Sequence, residues 1–335
     1  MKAIVQDRYG STDVLELGEI GEPAVGDDQV LVRVRASSVH ADVWHIMNGV
    51  PYILRIMGAG VRRPKDRVPG TDVAGHVESV GRNVTRFRPG DQVFGQSLSA
   101  NLWRNGGAFA ELAAVAEAVL EPKPAGLTFE QAAAVPTSGS LAVQAVRDEG
   151  RVQPGQRVLI NGAGGAVGTF AVQLATAYGA NVTGVDAPEK LDVLRSIGAD
   201  RVIDYTREDF TRSGERYDVV LDIVGTHPWS DCRRALTSEG TYVLIGHDQY
   251  GGAGHRWFGS LGRFFKLLVI SPFVRHLHPF RGAKDPGDRL AVLKELIDAG
   301  KLTPVIDRTF PLSGVPEAMR YLESGRATGK IVITV

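Results

Sequence analysis

The chain of 335 residues holds one cysteine, Cys232. A single thiol excludes an intramolecular disulfide and any zinc site built from several cysteines. No apolar run nears the roughly 20 residues of a membrane-spanning helix. Excess charge of either sign is missing too, because Lys plus Arg and Asp plus Glu both total 38. That balance argues against a nucleic-acid binder or an acidic-surface protein. The opening Met1-Lys2-Ala3-Ile4-Val5-Gln6-Asp7 reads as a polar-interrupted strand without the apolar core of a signal peptide. A cytoplasmic location is expected on these grounds.

Glycine is plentiful instead: 40 residues, about twelve per cent against an average near seven. The glycines are spread through ordered-looking segments, which points to tight turns and close backbone approaches. With 43 % hydrophobic and 23 % charged residues, the composition is that of a soluble globular protein, and the length suits two domains.

The two halves of the chain differ in pattern. Gln29 to Ala36 alternates, with Val30, Val32, Val34 and Ala36 on one face and Leu31, Arg33 and Arg35 on the other. Thr71–Val80, Gln92–Gly95 and Ala108–Ala113 are further short strands, separated by Gly81-Arg82-Asn83 and Pro89-Gly90-Asp91. This predicts a β-rich domain over residues 1–123, a small barrel or sandwich. Beyond Pro122-Lys123-Pro124-Ala125-Gly126, strands alternate with helices: Arg157–Asn161, Asn181–Asp186, Val202–Asp204, Asp218–Ile223 and Thr241–Gly246 are the strands. Alternation predicts an α/β, doubly wound parallel sheet over residues 124–283. Residues 284–335 return to strands, Val305–Phe310 and Lys330–Val335, and are expected to complete the first domain. The active site is expected in the cleft between the two domains.

The strand Arg157–Asn161 runs into Gly162-Ala163-Gly164-Gly165-Ala166-Val167-Gly168, and a helix follows. A pyrophosphate can approach such a turn only where side chains are absent, and the helix start offers unpaired N–H groups. The spacing is G-x-x-G-x-x-G, so the strand and helix around it carry the assignment of a dinucleotide site. Asp186 ends the next strand. A carboxylate there accepts hydrogen bonds from ribose hydroxyls, which favours NAD(H), whereas Lys190 four residues on can pair with a 2′-phosphate, which favours NADP(H).

Motifs along nearly the whole chain resemble the medium-chain dehydrogenase/reductase superfamily. They are Val32–Val39 with Asp42, Pro69–Val77, Val80-Gly81, Gly90–Val93, Gly107–Glu111, the glycine turn, Gly198-Ala199-Asp200, Val202–Tyr205 and Gly329-Lys330. More narrowly, the chain looks like the zinc-independent quinone oxidoreductase branch, with a GroES-like β-rich domain and a Rossmann-type domain. Zinc alcohol dehydrogenases of this superfamily use a Cys, a His-Glu pair and a second Cys or His around the catalytic metal. Here those positions carry His40, Thr71-Asp72 and Val135-Pro136-Thr137, and zinc needs three ligands. No zinc is expected, and His76, His227, His247 and His255 lack ligand spacing.

Without a Lewis acid the acceptor must delocalise charge itself, which suits a quinone or an α,β-unsaturated carbonyl reduced by NAD(P)H. The alternatives are a zinc-free alcohol dehydrogenase or carbonyl reductase and a non-catalytic NAD(P)H-binding sensor. By resemblance, Thr137, Tyr205, Gly246, His247 and Lys330 lie along the cofactor. Tyr52 can contact substrate or donate a proton, or it can be a packing tyrosine. His40, where this branch commonly has asparagine, can relay a proton with Asp42 or be structural.

Besides a small-molecule substrate, a homodimer is expected. Residues 256–281 interleave Arg256, Arg263, Lys266, Arg275 and Arg281 with Trp257, Phe258, Leu261, Phe265, Leu267 and Phe273. Such a basic apolar segment can rest weakly on an anionic membrane surface, or it can pack against the cleft or a subunit partner.

Overall fold

The computed structural model describes residues 1–98, 104–246, 256–259, 261–277 and 286–335. Its strands are β1 (Lys2–Gln6), β2 (Leu15–Glu19), β3 (Gln29–Val39), β4 (Asp72–Val80), β5 (Gln92–Gln96), β6 (Leu112–Ala116) and β7 (Leu120–Pro122). They continue with β8 (Arg157–Asn161), β9 (Asn181–Asp186), β10 (Arg201–Asp204), β11 (Tyr217–Asp222), β12 (Leu236–Leu244), β13 (Ile306–Pro311) and β14 (Lys330–Thr334). Contacts divide the chain into two compact units. One comprises Met1–Thr137, Asp285–Asp298 and Pro304–Val335; the other comprises Ser138–Lys284 and Ala299–Thr303.

The first unit is GroES-like and β-rich. Among the described residues its main sheet runs β13-β14-β3-β4-β5-β7, and β6 also pairs with β3. The alternation of β3 buries Val30, Val32 and Val34 against Val73, Val77, Val93 and Val115, while Arg33 and Arg35 face water. Burying these branched side chains contributes about 1.5–3 kcal/mol each. Close pairing needs a missing side chain at Gly75, where a Cβ would strike the Arg33 carbonyl. The register sets Ile331 of β14 opposite Val39 and Ala74 of β4 opposite Ala36. The start of β14, the end of β3 and the start of β4 therefore come together.

The second unit is Rossmann-like. Its described strands form a parallel sheet in the order β10-β9-β8-β11-β12. From β8 the chain builds outward to β9 and β10, then returns to β11 on the other side. The carboxyl end of β8 is thus the switch point where such sheets bind ligands. Leu159, Val185, Val220, Phe210, Tyr217 and Tyr242 are among the buried residues of its core.

The segment expected to rest on a membrane surface is corrected here. Among the described residues no helix is long and apolar enough to cross a membrane. The helix Leu261–Ile270 has ten residues, and its Leu267 is buried in the sheet's core together with Leu277. Arg263, one of the basic residues of that segment, is turned inward onto the carbonyls of Gly225 and His227. A guanidinium committed to backbone carbonyls is withdrawn from a lipid surface, so the membrane contact is set aside.

Candidate functional site

The turn after β8 is shaped by its own backbone. Gly162 takes φ +86, and the N–H groups of Gly162 and Ala163 donate to the Val185 carbonyl at 2.9 and 3.1 Å. A Cβ on Gly162 would strike Val224, and one on Gly168 would strike the carbonyls of Gly162 and Ala163. Gly165 differs: a Cβ there would meet nothing nearer than the Gly162 carbonyl at 3.5 Å. Space therefore lies open above the turn. Gly165 caps the helix Ala166–Ala177 without a side-chain hydrogen bond, so the first N–H groups of that helix have no side-chain acceptor. Open space over a helix start with bare N–H donors fits the pyrophosphate of a dinucleotide.

Beside the turn, Asp186 is mostly enclosed. Its Oδ2 accepts the Gly164 N–H at 2.7 Å and its Oδ1 the Ala187 N–H at 2.8 Å. Lys190 Nζ lies 3.6 Å from Oδ1, and the Lys190 stem packs where a Cβ on Gly164 would be. Both groups expected to choose between the nucleotides are therefore paired with each other and with the turn. Tyr205, next to β10, is exposed, and its N–H donates to the Asp186 carbonyl at 3.3 Å. Gly246 follows β12, where a Cβ would strike the Ile223 carbonyl. His247 lies outside the described residues.

The first unit gathers His40, Thr71, Asp72 and Thr137, which the resemblance sets at the metal positions of zinc alcohol dehydrogenases. Asp72, wholly buried, is their hub. Its Oδ1 accepts the Thr137 N–H at 2.9 Å and the Thr137 hydroxyl at 2.5 Å. Its Oδ2 accepts the Ser38 hydroxyl and lies 3.2 Å from Lys330 Nζ. Lys330, also wholly buried, donates to the Val39 carbonyl as well, at 3.4 Å. Burial pushes the Lys330 ammonium below its ordinary range, and Asp72 opposes that shift.

Alongside, His40 Nε2 pairs with the Thr71 hydroxyl, and His40 Nδ1 stands 3.4 Å from an Asp42 carboxylate oxygen. Among the described residues no group of three His, Cys, Asp or Glu side chains could hold a metal. Tyr52 is half-buried, with the Arg55 guanidinium 4.6 Å from its ring centre and 4.3 Å from that of Tyr9.

The sequence placed Asp72 only as a replaced metal ligand and gave Ser38 no role. Lys330, expected along the cofactor by resemblance, holds its ammonium against Asp72 and the Val39 carbonyl. A signal existed: an aspartate where a catalytic metal's ligand would stand needs a cation in its place if it is buried.

Two family models match the chain. "Alcohol dehydrogenase GroES-like domain" covers residues 26–125, and "Zinc-binding dehydrogenase" covers residues 197–333. The chain is 35 % identical to the "NADPH-dependent alkenal/one oxidoreductase, chloroplastic" of Arabidopsis thaliana, over 99 % of this chain and 79 % of that protein. It is 32 % identical to the "NAD(P)H oxidoreductase RTN4IP1, mitochondrial" of Mus musculus, over 100 % and 89 %. Its fold is similar to that of the quinone oxidoreductase from Coxiella burnetii, with TM-score 0.84 and 28 % identity over 100 % and 99 % of the two chains.

These relatives correct the expected cytoplasmic location, because their names place them in the chloroplast and the mitochondrion. Balanced charge and a single thiol are as compatible with an organelle as with the cytoplasm, so composition carried no address. Matched in both its units and along its whole length, the chain belongs to the medium-chain dehydrogenase/reductase superfamily, in the zinc-independent quinone oxidoreductase-like branch.

Proposed function

We propose that this protein reduces a quinone or an α,β-unsaturated carbonyl with NAD(P)H and without zinc. One observation carries the choice of acceptor: Asp72, at a metal-ligand position of zinc relatives, is engaged by Lys330, Thr137 and Ser38. A buried carboxylate already neutralised by an ammonium has no call for a metal ion. Acceptors that spread the incoming charge over a conjugated system need less polarisation than a simple ketone. The relatives named for alkenal/one and quinone substrates support the same class.

The nicotinamide nucleotide supplies the hydride when bound. In this reading Gly162, Ala163, Gly164, Gly165, Ala166, Val167 and Gly168 receive its pyrophosphate, through the bare N–H groups of the helix start. Asp186, Lys190 and Tyr205 flank the adenosine side, and Gly246 the nicotinamide side. Lys330 acts through Asp72, which holds the Thr137 hydroxyl and N–H in one orientation. Tyr52 donates a proton to the reduced acceptor, and Arg55 across its ring fixes its position. His40, between Thr71 and Asp42, offers a second store of exchangeable protons.

The test is fluorescence titration with NADH and NADPH, followed by turnover of 1,4-benzoquinone, an enone and a simple aldehyde in the presence of a chelator. Turnover of the first two with little of the third is expected. Nucleotide binding without turnover would instead make this a sensor, and preferred aldehyde turnover would make it a carbonyl reductase.

A further inference from the structure

The carboxyl ends of β8, β11 and β12 enclose a second buried carboxylate that the proposed chemistry does not use. Asp222, the last residue of β11, exposes no surface. Its Oδ1 accepts from the Asn161 side-chain amide at 2.9 Å and from the Gly225 N–H at 2.8 Å. Its Oδ2 accepts the Tyr242 hydroxyl at 2.6 Å and lies 3.7 Å from Arg263 Nη2. Asn161 is the residue immediately before Gly162. The cluster therefore grips the strand end from which the nucleotide turn departs.

Arg263 completes it from another element. Placed on the helix Leu261–Ile270, it donates to the carbonyls of Gly225 and His227 and lies 3.2 Å from the Tyr242 hydroxyl. A planar guanidinium holds five donors in a rigid fork, so it can meet two carbonyls and neutralise a nearby carboxylate in one fixed geometry that a lysine ammonium does not supply. These bonds clasp the loop 223–228. That loop in turn abuts the nucleotide site: Val224 fills the space beside Gly162, and the Ile223 carbonyl closes on Gly246. Burial and the adjacent Asp222 push the Tyr242 phenol well above its ordinary range, so it stays a donor at neutral pH.

We infer that Arg263, bound through Asp222 and Tyr242, is a positioning residue that sets loop 223–228 against the nucleotide turn and couples the helix Leu261–Ile270 to nucleotide binding. The inference rests on the reading of the glycine turn as the NAD(P)H site. It gives a role to a basic residue that sequence alone counted among surface cations. A nucleotide that needs the loop in its clasped position stabilises the clasp by the same free energy that the clasp lends to binding.

The experiment compares the full-length protein with Arg263→Met, Arg263→Lys and Tyr242→Phe, using nucleotide titration by fluorescence and limited trypsinolysis. Titration of the unaltered protein comes first; if neither nucleotide binds, the function reading fails. If it binds, Arg263→Met is expected to weaken nucleotide binding about tenfold, with the loss falling on the KM for nucleotide and not on kcat. Arg263→Lys should fall between, and Tyr242→Phe, which removes one oxygen, should weaken binding about threefold.

Saturating nucleotide should slow cleavage at exposed Lys266 in the unaltered protein and lose that effect in Arg263→Met. Equal nucleotide affinity in the unaltered protein and Arg263→Met, with nucleotide protection of Lys266 retained in the variant, would overturn the inference. A change in thermal midpoint alone, without change in affinity, would overturn it as well.

Discussion

Lys330 Nζ lies 3.2 Å from Asp72 Oδ2, and neither residue exposes any surface. Removing one partner strands a charge in the interior, which costs about 3–5 kcal/mol, whereas removing both strands none. Lys330→Met should therefore unfold at markedly lower urea concentration. The double variant Lys330→Met with Asp72→Asn should recover more than half of the loss. If the double variant is less stable than the single by a further full increment, the two residues are not coupled.

Gly165 and Gly168 separate folding from binding. Gly168→Ala drives a methyl group into the Gly162 and Ala163 carbonyls, so it should lower the thermal midpoint as well as nucleotide affinity. Gly165→Ala meets ordinary contact distance within the protein and should unfold like the parent. Because its methyl group would stand where the pyrophosphate approaches, it should still weaken nucleotide binding, on the order of tenfold or more. Unchanged affinity in Gly165→Ala would show that the phosphates lie elsewhere.

Tyr52→Phe keeps the ring against Arg55 and removes only the hydroxyl. As a proton donor, Tyr52 should give a loss in kcat on the order of 10²-fold for enone reduction with nucleotide affinity intact. Full kcat in the variant would leave Tyr52 a packing residue.

Stability should fall on the acid side for identifiable reasons. The Arg33 guanidinium holds Glu78 below its ordinary value of 4.5, and Arg67 and the Thr206 hydroxyl hold Asp7 and Asp204 below 3.8. A carboxyl group with a lowered folded value stabilises the native state in full above its ordinary value. That contribution is lost as pH falls through the folded value. Urea midpoints should therefore be flat near neutrality and decline below about pH 4.5. Arg33→Gln should make the decline shallower by removing the Glu78 share, and an unaltered acid limb would refute that assignment.

What the sequence disclosed depended on how far apart the cooperating residues lie. The alternation of β3 and the turn at Gly162 are local patterns: β3 starts at the expected Gln29 and runs three residues past Ala36, and β8 has the expected bounds Arg157–Asn161. The inward direction of Lys330 depends on Asp72, 258 positions away, and no local pattern encodes it. Arg263 reads as one cation in a basic stretch until Asp222 and the Gly225 carbonyl are placed beside it. Asp186 and Lys190 were legible as separate nucleotide-selecting residues, but not their pairing with each other or the N–H of Gly164 that occupies the carboxylate. Periodicity finds elements, while the saturation of buried polar groups requires the folded neighbours.

The place of β14 has a consequence for how the chain is made. In the sheet it lies between β13 and β3, yet it is synthesised after β3 and the whole of the second unit. While a nascent chain emerges from the ribosome, residues 36–39 of β3 have no β14 beside them, and their backbone groups are open to a neighbouring polypeptide. The Rossmann-like unit can close during that interval, but the first unit cannot. Until β14 docks, that open edge leaves the partly made first unit prone to pairing with other chains.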